Sequence, residues 1–147
     1  MTTSSRDSSI LNKTSPKQNK LLNLSLWTTQ LLLAAMFGMA GGMKLTEPIS
    51  QLSAMLPFTA QVPESLVRFI GAAEMAGALG LILPAATRIA PALTPIAATG
   101  LFLIMVLAAG FHISRGEVEN IPVNLILGSL AAFVAWGRFN KAKISHR

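Results

Sequence analysis

The segment FIGAAEMAGALGLILP, residues 69–84, carries one charged side chain, Glu74, among apolar and small residues. A bilayer core about 30 Å thick is crossed by a helix of about 20 such residues. A carboxylate inside a membrane helix costs about 3 kcal/mol or more when it has no partner, so it rarely faces lipid. The segment therefore predicts a membrane helix whose acid faces other helices.

The composition of the whole chain also indicates a membrane protein. Hydrophobic residues make up 52% of the 147 residues and charged residues only 12%, with a mean hydropathy of +0.55. Soluble domains carry about 25% charged residues. The chain has no cysteine, no metal-spaced histidine pair, no phosphate-binding loop and no nucleophile elbow. The sequence therefore predicts no metal site and contains no self-contained catalytic signature. Whether the chain is part of an enzyme stays open.

Four apolar windows predict an all-α membrane protein, a four-transmembrane-helix antiparallel bundle without a sheet. They form one domain over residues 24–138, with spans at about residues 24–43, 67–83, 95–113 and 121–137. Pro84 is predicted to end the second span. Thr94 and Pro95 suit the cap and first position of the third span, and Asn120 suits the cap of the fourth.

The connection between the first two spans, residues 45–65, is predicted to contain a short amphipathic helix. Ile49, Leu52, Met55 and Leu56 recur at helical spacing before Pro57 interrupts the pattern. Such a helix either lies on the membrane surface as a lid or plugs one end of the bundle.

Basic residues predict the orientation of the bundle. Four Lys or Arg residues precede the first span and four follow the fourth, whereas the opposite side holds only Lys44, Arg68 and Arg115. Because Lys and Arg next to membrane spans stay in the cytoplasm, both termini are predicted to be cytoplasmic. The net charge of +6 is thereby explained without nucleic acid as a partner.

Two tails flank the predicted domain. Residues 1–23 are rich in polar residues and are predicted to be a disordered cytoplasmic tail, and residues 139–147 a basic cytoplasmic tail. A cleaved signal peptide is the alternative interpretation of the first span, because small residues at 38–42 suit a cleavage site.

Four polar residues are predicted to lie in the outer half of the bundle, one from each span. They are the ligand-binding candidates Lys44, Glu74, His112 and Asn124. Glu74 and His112 are the candidates for proton handling, because a carboxylate and an imidazole can both exchange protons.

Three of these residues have a plain structural alternative. Lys44 can snorkel to the interface, His112 can cap a helix C-terminus, and Asn124 can join two helices by hydrogen bonds. Gln30 is predicted to join helices in the same way. Gly71, Gly77 and Gly80 are predicted to permit close helix packing around Glu74.

The chain resembles the DoxX-like family of small bacterial four-helix membrane proteins. The motifs that carry the resemblance are GMAGGMKL (38–45), RFIGAAEMAGALGLILPAATRIAPALTPIAA (68–98), AGFHISRGE (109–117) and PVNLILGSLAAFVAWGR (122–138). They lie within residues 27–138, over which the resemblance extends. The resemblance implies a bundle in the bacterial cytoplasmic (inner) membrane. The family is named for a subunit associated with thiosulfate-to-quinone electron transfer, so the resemblance also implies a link to membrane redox complexes or to the assembly of other proteins.

Three classes of function are compatible with these observations. The first is a subunit of a membrane redox complex that binds quinone or a similar lipophilic molecule, with Glu74 and His112 handling protons. The second is a scaffold or assembly factor for a membrane complex, and the third is a small proton-coupled transporter. The expected partners are the lipid bilayer and either other membrane or redox subunits or further copies of the chain.

Overall fold

The computed structural model describes residues 16–147, and within that range the chain forms helices and no strands. The α-helices are α1 (Pro16–Thr46), α2 (Ile49–Met55), α3 (Glu64–Thr87), α4 (Leu93–Ser114) and α5 (Ile121–Trp136). Short 3₁₀ helices at Pro57–Ala60 and Val118–Asn120 precede α3 and α5, and a π-helical turn at Gly137–Lys141 follows α5.

Four of the helices are long and apolar enough to cross a membrane. These segments are Lys17–Thr46, Glu64–Thr87, Leu93–Ser114 and Val118–Lys141. Large apolar side chains point outward, as at Phe69 and Leu107, which are 68% and 73% exposed. A helix that is apolar on its outer face as well as its inner face is suited to lipid. The predicted all-α fold of four membrane-spanning helices is confirmed.

The four long helices pack in chain order around one apolar core. α1 packs on α3, α3 on α4 and α4 on α5, and α5 closes the bundle against α1. The core contains Leu33 and Phe37 from α1, Ala78 and Leu81 from α3, Ala98, Leu101 and Met105 from α4, and Ala131 and Val134 from α5.

The two ends of the bundle differ in charge. The basic end comprises the start of α1, the α3–α4 link at residues 88–92, and residues 137–147. The acidic end comprises α2 and the α4–α5 link at residues 115–120. All Asp and Glu residues of the described chain lie at or toward the acidic end, and they are Glu47, Glu64, Glu74, Glu117 and Glu119.

The boundaries of α1 and α3 differ from the predicted ones. α1 begins at Pro16, so residues 16–23 are helical instead of forming part of a disordered tail; residues 1–15 lie outside the described range. α3 continues one turn past Pro84 to Thr87, so Pro84 does not end the helix. The carbonyl of Pro84 still accepts a hydrogen bond from the Arg88 amide at 3.0 Å, and Arg88 ends the helix in a left-handed conformation with φ of 60°.

The predicted side-chain caps of α4 and α5 are wrong. α4 begins at Leu93, which places Thr94 and Pro95 within its first turn, where the missing amide of a proline costs no helical hydrogen bond. Asn120 does stand at the N-cap position of α5, but its side chain makes no capping hydrogen bond. Its φ and ψ of −87° and −14° are helical, whereas a capping side chain needs an extended backbone.

The short helix in the first connection is confirmed. α2 runs from Ile49 to Met55 and is followed by the 3₁₀ helix that begins at Pro57. Leu52 is 1% exposed whereas Met55 is 65% exposed, so one face of α2 is buried.

α1 and α3 approach each other at two glycines. A Cβ atom at Gly41 would lie 2.7 Å from the carbonyl oxygen of Gly71 and 2.9 Å from the amide nitrogen of Met75. A Cβ atom at Gly71 would lie 2.7 Å from the Cβ of Lys44. Backbone atoms cannot move aside as a flexible side chain can, so this contact needs both glycines.

We expect Gly41→Ala to destabilise the bundle by about 1–3 kcal/mol, because the added methyl group meets backbone atoms of α3. Gly100→Ala is the matched control, since a Cβ atom there meets nothing within 4 Å. The measurement is thermal unfolding of the purified proteins in the same detergent. Equal melting temperatures for the two variants would contradict the close contact.

Candidate functional site

A buried ion pair joins α1 to α3 in the half of the bundle nearer the acidic end. The ammonium Nζ of Lys44 lies 2.7 Å from Oε2 of Glu74. Lys44 is 5% exposed and Glu74 is 4% exposed, so water reaches neither group freely. The charges therefore compensate each other within the protein, and the ammonium of Lys44 pairs with Glu74 instead of extending to the surface.

The positions of the two residues follow from the helices that carry them. Lys44 stands in the last turn of α1, where a cation interacts favourably with the negative end of the helix dipole. Glu74 stands on the buried face of α3 with Gly71 and Ala78, one turn to either side. The close approach at Gly41 and Gly71 brings the two side chains within reach of each other.

Arg68 fixes the end of α1 beside the ion pair. Its Nη1 donates to the carbonyl oxygens of Lys44 at 2.6 Å and Glu47 at 2.8 Å, and its Nη2 donates to Oε1 of Glu64 at 2.8 Å. From the sequence alone, Arg68 is only a cation that flanks the second span. Glu64 and Arg68 lie four residues apart on one helix, a spacing that predicts the ion pair between them. It does not predict the hydrogen bonds from Arg68 to the carbonyl oxygens at the end of α1.

His112 pairs with a different carboxylate. Its Nδ1 lies 2.7 Å from Oε2 of Glu117, and Oε1 of Glu117 accepts a hydrogen bond from Nε of Arg115 at 2.9 Å. Phe58 and Phe111 contact the imidazole edge to face at centroid distances of 6.3 and 5.7 Å. Hydrogen bonds from Arg115, and then from His112, hold the pKa of Glu117 below its ordinary value.

Asn124 is buried in the first turn of α5, with 7% of its surface exposed. Its Nδ2 has no hydrogen-bond partner within residues 16–147. Of the four predicted ligand-binding residues, the structure thus joins Lys44 to Glu74, gives His112 its own partner, and leaves the amide nitrogen of Asn124 unpaired in the described chain.

The three predicted packing glycines lie in two different contacts. Gly71 faces α1, whereas Gly77 and Gly80 lie against α4. A Cβ atom at Gly77 would lie 2.5 Å from Leu101, and one at Gly80 would lie 2.7 Å from the Cβ of Ala97.

A second polar cluster, which the sequence analysis did not recognise, lies at the basic end around Arg138. Nε of Arg138 donates to Oε1 of Gln30 at 2.6 Å, and Nε2 of Gln30 donates to the Leu81 carbonyl at 2.7 Å. Gln30 therefore connects α1 to both α3 and the end of α5, which confirms its predicted interhelical role. Arg138 is 4% exposed, although its position after a membrane span indicated only a flanking charge.

We expect the stabilising effect of Glu117 to depend on pH. Because its pKa is lowered in the folded protein, this effect is fully present above the ordinary value of 4.5 and is lost as the pH falls through the lowered pKa. The melting temperature of Glu117→Gln should lie below that of the unsubstituted protein at neutral pH, and the difference should shrink in acid. Glu119→Gln is the control, because Glu119 is exposed on the same link. A difference that stays constant below pH 4.5 would contradict the pairing of Glu117.

The family comparison covers the bundle. A profile of the DoxX-like family matches residues 28–134, which include Lys44, Glu74, His112 and Asn124. Neither a curated protein nor a solved structure matches the chain. The match extends over more than half of the chain and agrees with the resemblance carried by its motifs, and the chain therefore belongs to the DoxX-like family.

Proposed function

We propose that the chain is a subunit of a membrane redox complex and that it binds a quinone or a similar lipophilic molecule beside Lys44 and Glu74. The observation that carries this proposal is the buried ion pair at 2.7 Å within the membrane-spanning region. A buried ion pair is often less stable than an apolar pair of the same volume. Its presence inside a span therefore favours a role for the charges themselves.

The two side chains supply complementary chemistry. The ammonium of Lys44 can donate a hydrogen bond and a proton to a quinone oxygen, and the carboxylate of Glu74 can take up protons from water and pass them to Lys44, so that the pair supplies both protons of the reduction. Reduction of a quinone consumes two electrons and two protons. The electrons would come from a redox subunit of the same complex. His112 and Glu117 lie where α4 leaves the span, a position suited to exchanging protons with water.

A scaffold or assembly factor is the second candidate. It is favoured by the closed geometry of the pair, because Lys44 and Glu74 satisfy each other directly and both are almost fully buried. In this case the pair fixes the register of α1 against α3, and the outward apolar faces bind other membrane subunits or a second copy.

A double substitution separates the two candidates. Removing one charge leaves the other buried and unpaired, at a cost of about 3–5 kcal/mol. A single substitution could therefore abolish binding merely by unfolding the bundle. Lys44→Met with Glu74→Leu replaces the pair by apolar groups and should leave the bundle folded. For a quinone-binding subunit, we expect this variant in nanodiscs to lose equilibrium binding of a short-chain benzoquinone.

The matched control is Glu64→Gln, which removes a carboxylate that is 62% exposed at the same end of the bundle. Surface pairs of this kind contribute little, so benzoquinone binding should not change. If the double variant binds the benzoquinone like the unsubstituted protein and still co-purifies with its partners, the pair is structural and the scaffold is the better assignment.

We also infer that the bundle lies in the bacterial inner membrane with both termini in the cytoplasm. The excess of Lys and Arg at the basic end supports this orientation, since such residues are retained in the cytoplasm. The first part of α1 and the segment after α5 lie together at this end, because Nη1 of Arg138 donates to Oδ1 of Asn23 at 2.8 Å.

The absence of natural cysteines permits a direct test of this orientation. Ser50 in α2 and Ser145 near the basic end are both exposed. In intact cells with a permeable outer envelope, a membrane-impermeant maleimide should label Ser50→Cys and not Ser145→Cys. After lysis it should label both variants. If only Ser145→Cys is labelled before lysis, the orientation is the opposite of the one inferred.

A further inference from the structure

The basic end contains a buried cation whose described partners are all neutral. Arg138 is 4% exposed, and its Nε donates to the amide oxygen of Gln30. Its Nη1 donates to Oδ1 of Asn23 at 2.8 Å and to the Ala142 carbonyl at 3.2 Å. Its Nη2 is buried and has no hydrogen-bond partner within residues 16–147. The guanidinium thus retains both an uncompensated charge and an unused donor.

An unpaired buried charge is unfavourable, and residues in contact with Arg138 relieve it only in part. The guanidinium carbon lies 5.5 Å from the ring centroid of Trp27, a weak cation–π contact. The carboxylate side chains of the described chain lie at or toward the acidic end, so none of them is placed to neutralise Arg138. The charge of Arg138 therefore favours the binding of an anion that is not part of the described chain.

Arg138 also lines a cavity that has room for such an anion. The cavity has a volume of about 240 Å³. Lys143 and His146 provide further nitrogen donors, and Pro91, Pro95 and Ile144 provide apolar walls. Lys143 also lines a neighbouring cavity of about 210 Å³, together with Arg88. The C-terminal residues extend across this end, where the Arg147 amide donates to the Arg88 carbonyl at 3.4 Å.

We propose that the cavity at the basic end binds a phosphate group between Arg138 and Lys143. A phosphate presents several acceptor oxygens and can accept hydrogen bonds from a guanidinium and an ammonium at the same time. The phosphate belongs either to the headgroup of an anionic lipid or to a free phosphate compound. This site lies at the opposite end of the bundle from the Lys44–Glu74 pair and does not depend on the proposed redox function.

The test compares two lysines at the basic end, Lys141 and Lys143. Both side chains are exposed, but Lys143→Gln removes a lysine that lines both cavities, whereas Lys141→Gln removes one that lines neither. Each substitution changes the net charge equally, so general attraction to anions falls equally in both. Arg138→Gln tests the buried donor, with circular dichroism in detergent to establish that the bundle is folded.

Two probes distinguish the sources of the phosphate. The first is phosphatidylglycerol added to the full chain in detergent and followed by native mass spectrometry, with phosphatidylcholine as the comparison lipid. The second is inorganic phosphate, followed by the shift in melting temperature against chloride at equal ionic strength. We expect one of these probes to bind about tenfold more weakly to Lys143→Gln than to Lys141→Gln, because a charge-assisted hydrogen bond is lost.

A loss confined to phosphatidylglycerol identifies a lipid site, and a loss for inorganic phosphate identifies a site for free phosphate. If Lys141→Gln and Lys143→Gln weaken binding of the probes equally, the attraction is only generally electrostatic and the proposal is overturned. Binding of neither probe to the unsubstituted protein would overturn it as well. So would binding to a folded Arg138→Gln protein that equals binding to the unsubstituted one.

Discussion

The carboxylate of Glu74 constrains the arrangement of the bundle because the bilayer offers it no water. A charge in the middle of a membrane helix costs about 3 kcal/mol or more without compensation, and here the compensation comes from a different helix. Lys44 reaches Glu74 only if α1 and α3 are in one particular register and rotation. Apolar packing alone distinguishes such registers weakly in lipid, since lipid tails are as apolar as the side chains they would replace.

The glycines at positions 41 and 71 are the structural counterpart of this ion pair. A long side chain on either helix would hold the two backbones apart, and the ammonium would then fall short of the carboxylate or lose its direct contact. Arg68 adds a second constraint by binding carbonyl oxygens at the end of α1. The position of Lys44 is therefore determined by backbone contact on one side and by helix-end hydrogen bonds on the other.

The parts of this structure that the sequence predicted are those that depend on composition and helical periodicity. Four spans, the short helix after Pro48 and an inward-facing Glu74 all follow from where apolar residues recur and where a charge would be costly. The choice of partner for Glu74 does not follow, because Lys44, His112 and Asn124 all come from the same half of the bundle. Only the interhelical distances separate them.

Helix ends and the role of Arg138 were harder to predict for two different reasons. Pro84 and Asn120 are local signals, and packing extended α3 past the proline and kept the asparagine backbone helical. Arg138 follows the last span, where an arginine usually faces the cytoplasmic water and indicates orientation. Its burial depends on Asn23 and Gln30, more than 100 residues earlier, which no local pattern connects to it.

α1 carries the polar partners at both ends of the bundle. Near the acidic end it provides Lys44, which meets a carboxylate, and toward the basic end it provides Asn23 and Gln30, which meet a guanidinium. The contacts differ in their charge balance: the first contact is electrically neutral as a unit, whereas the second leaves a net positive charge. An element fixed at both ends in this way cannot slide along its neighbours without breaking one set of contacts. The ion pair near the acidic end accounts for the register of α1. At the basic end, the described chain alone leaves the charge of Arg138 uncompensated.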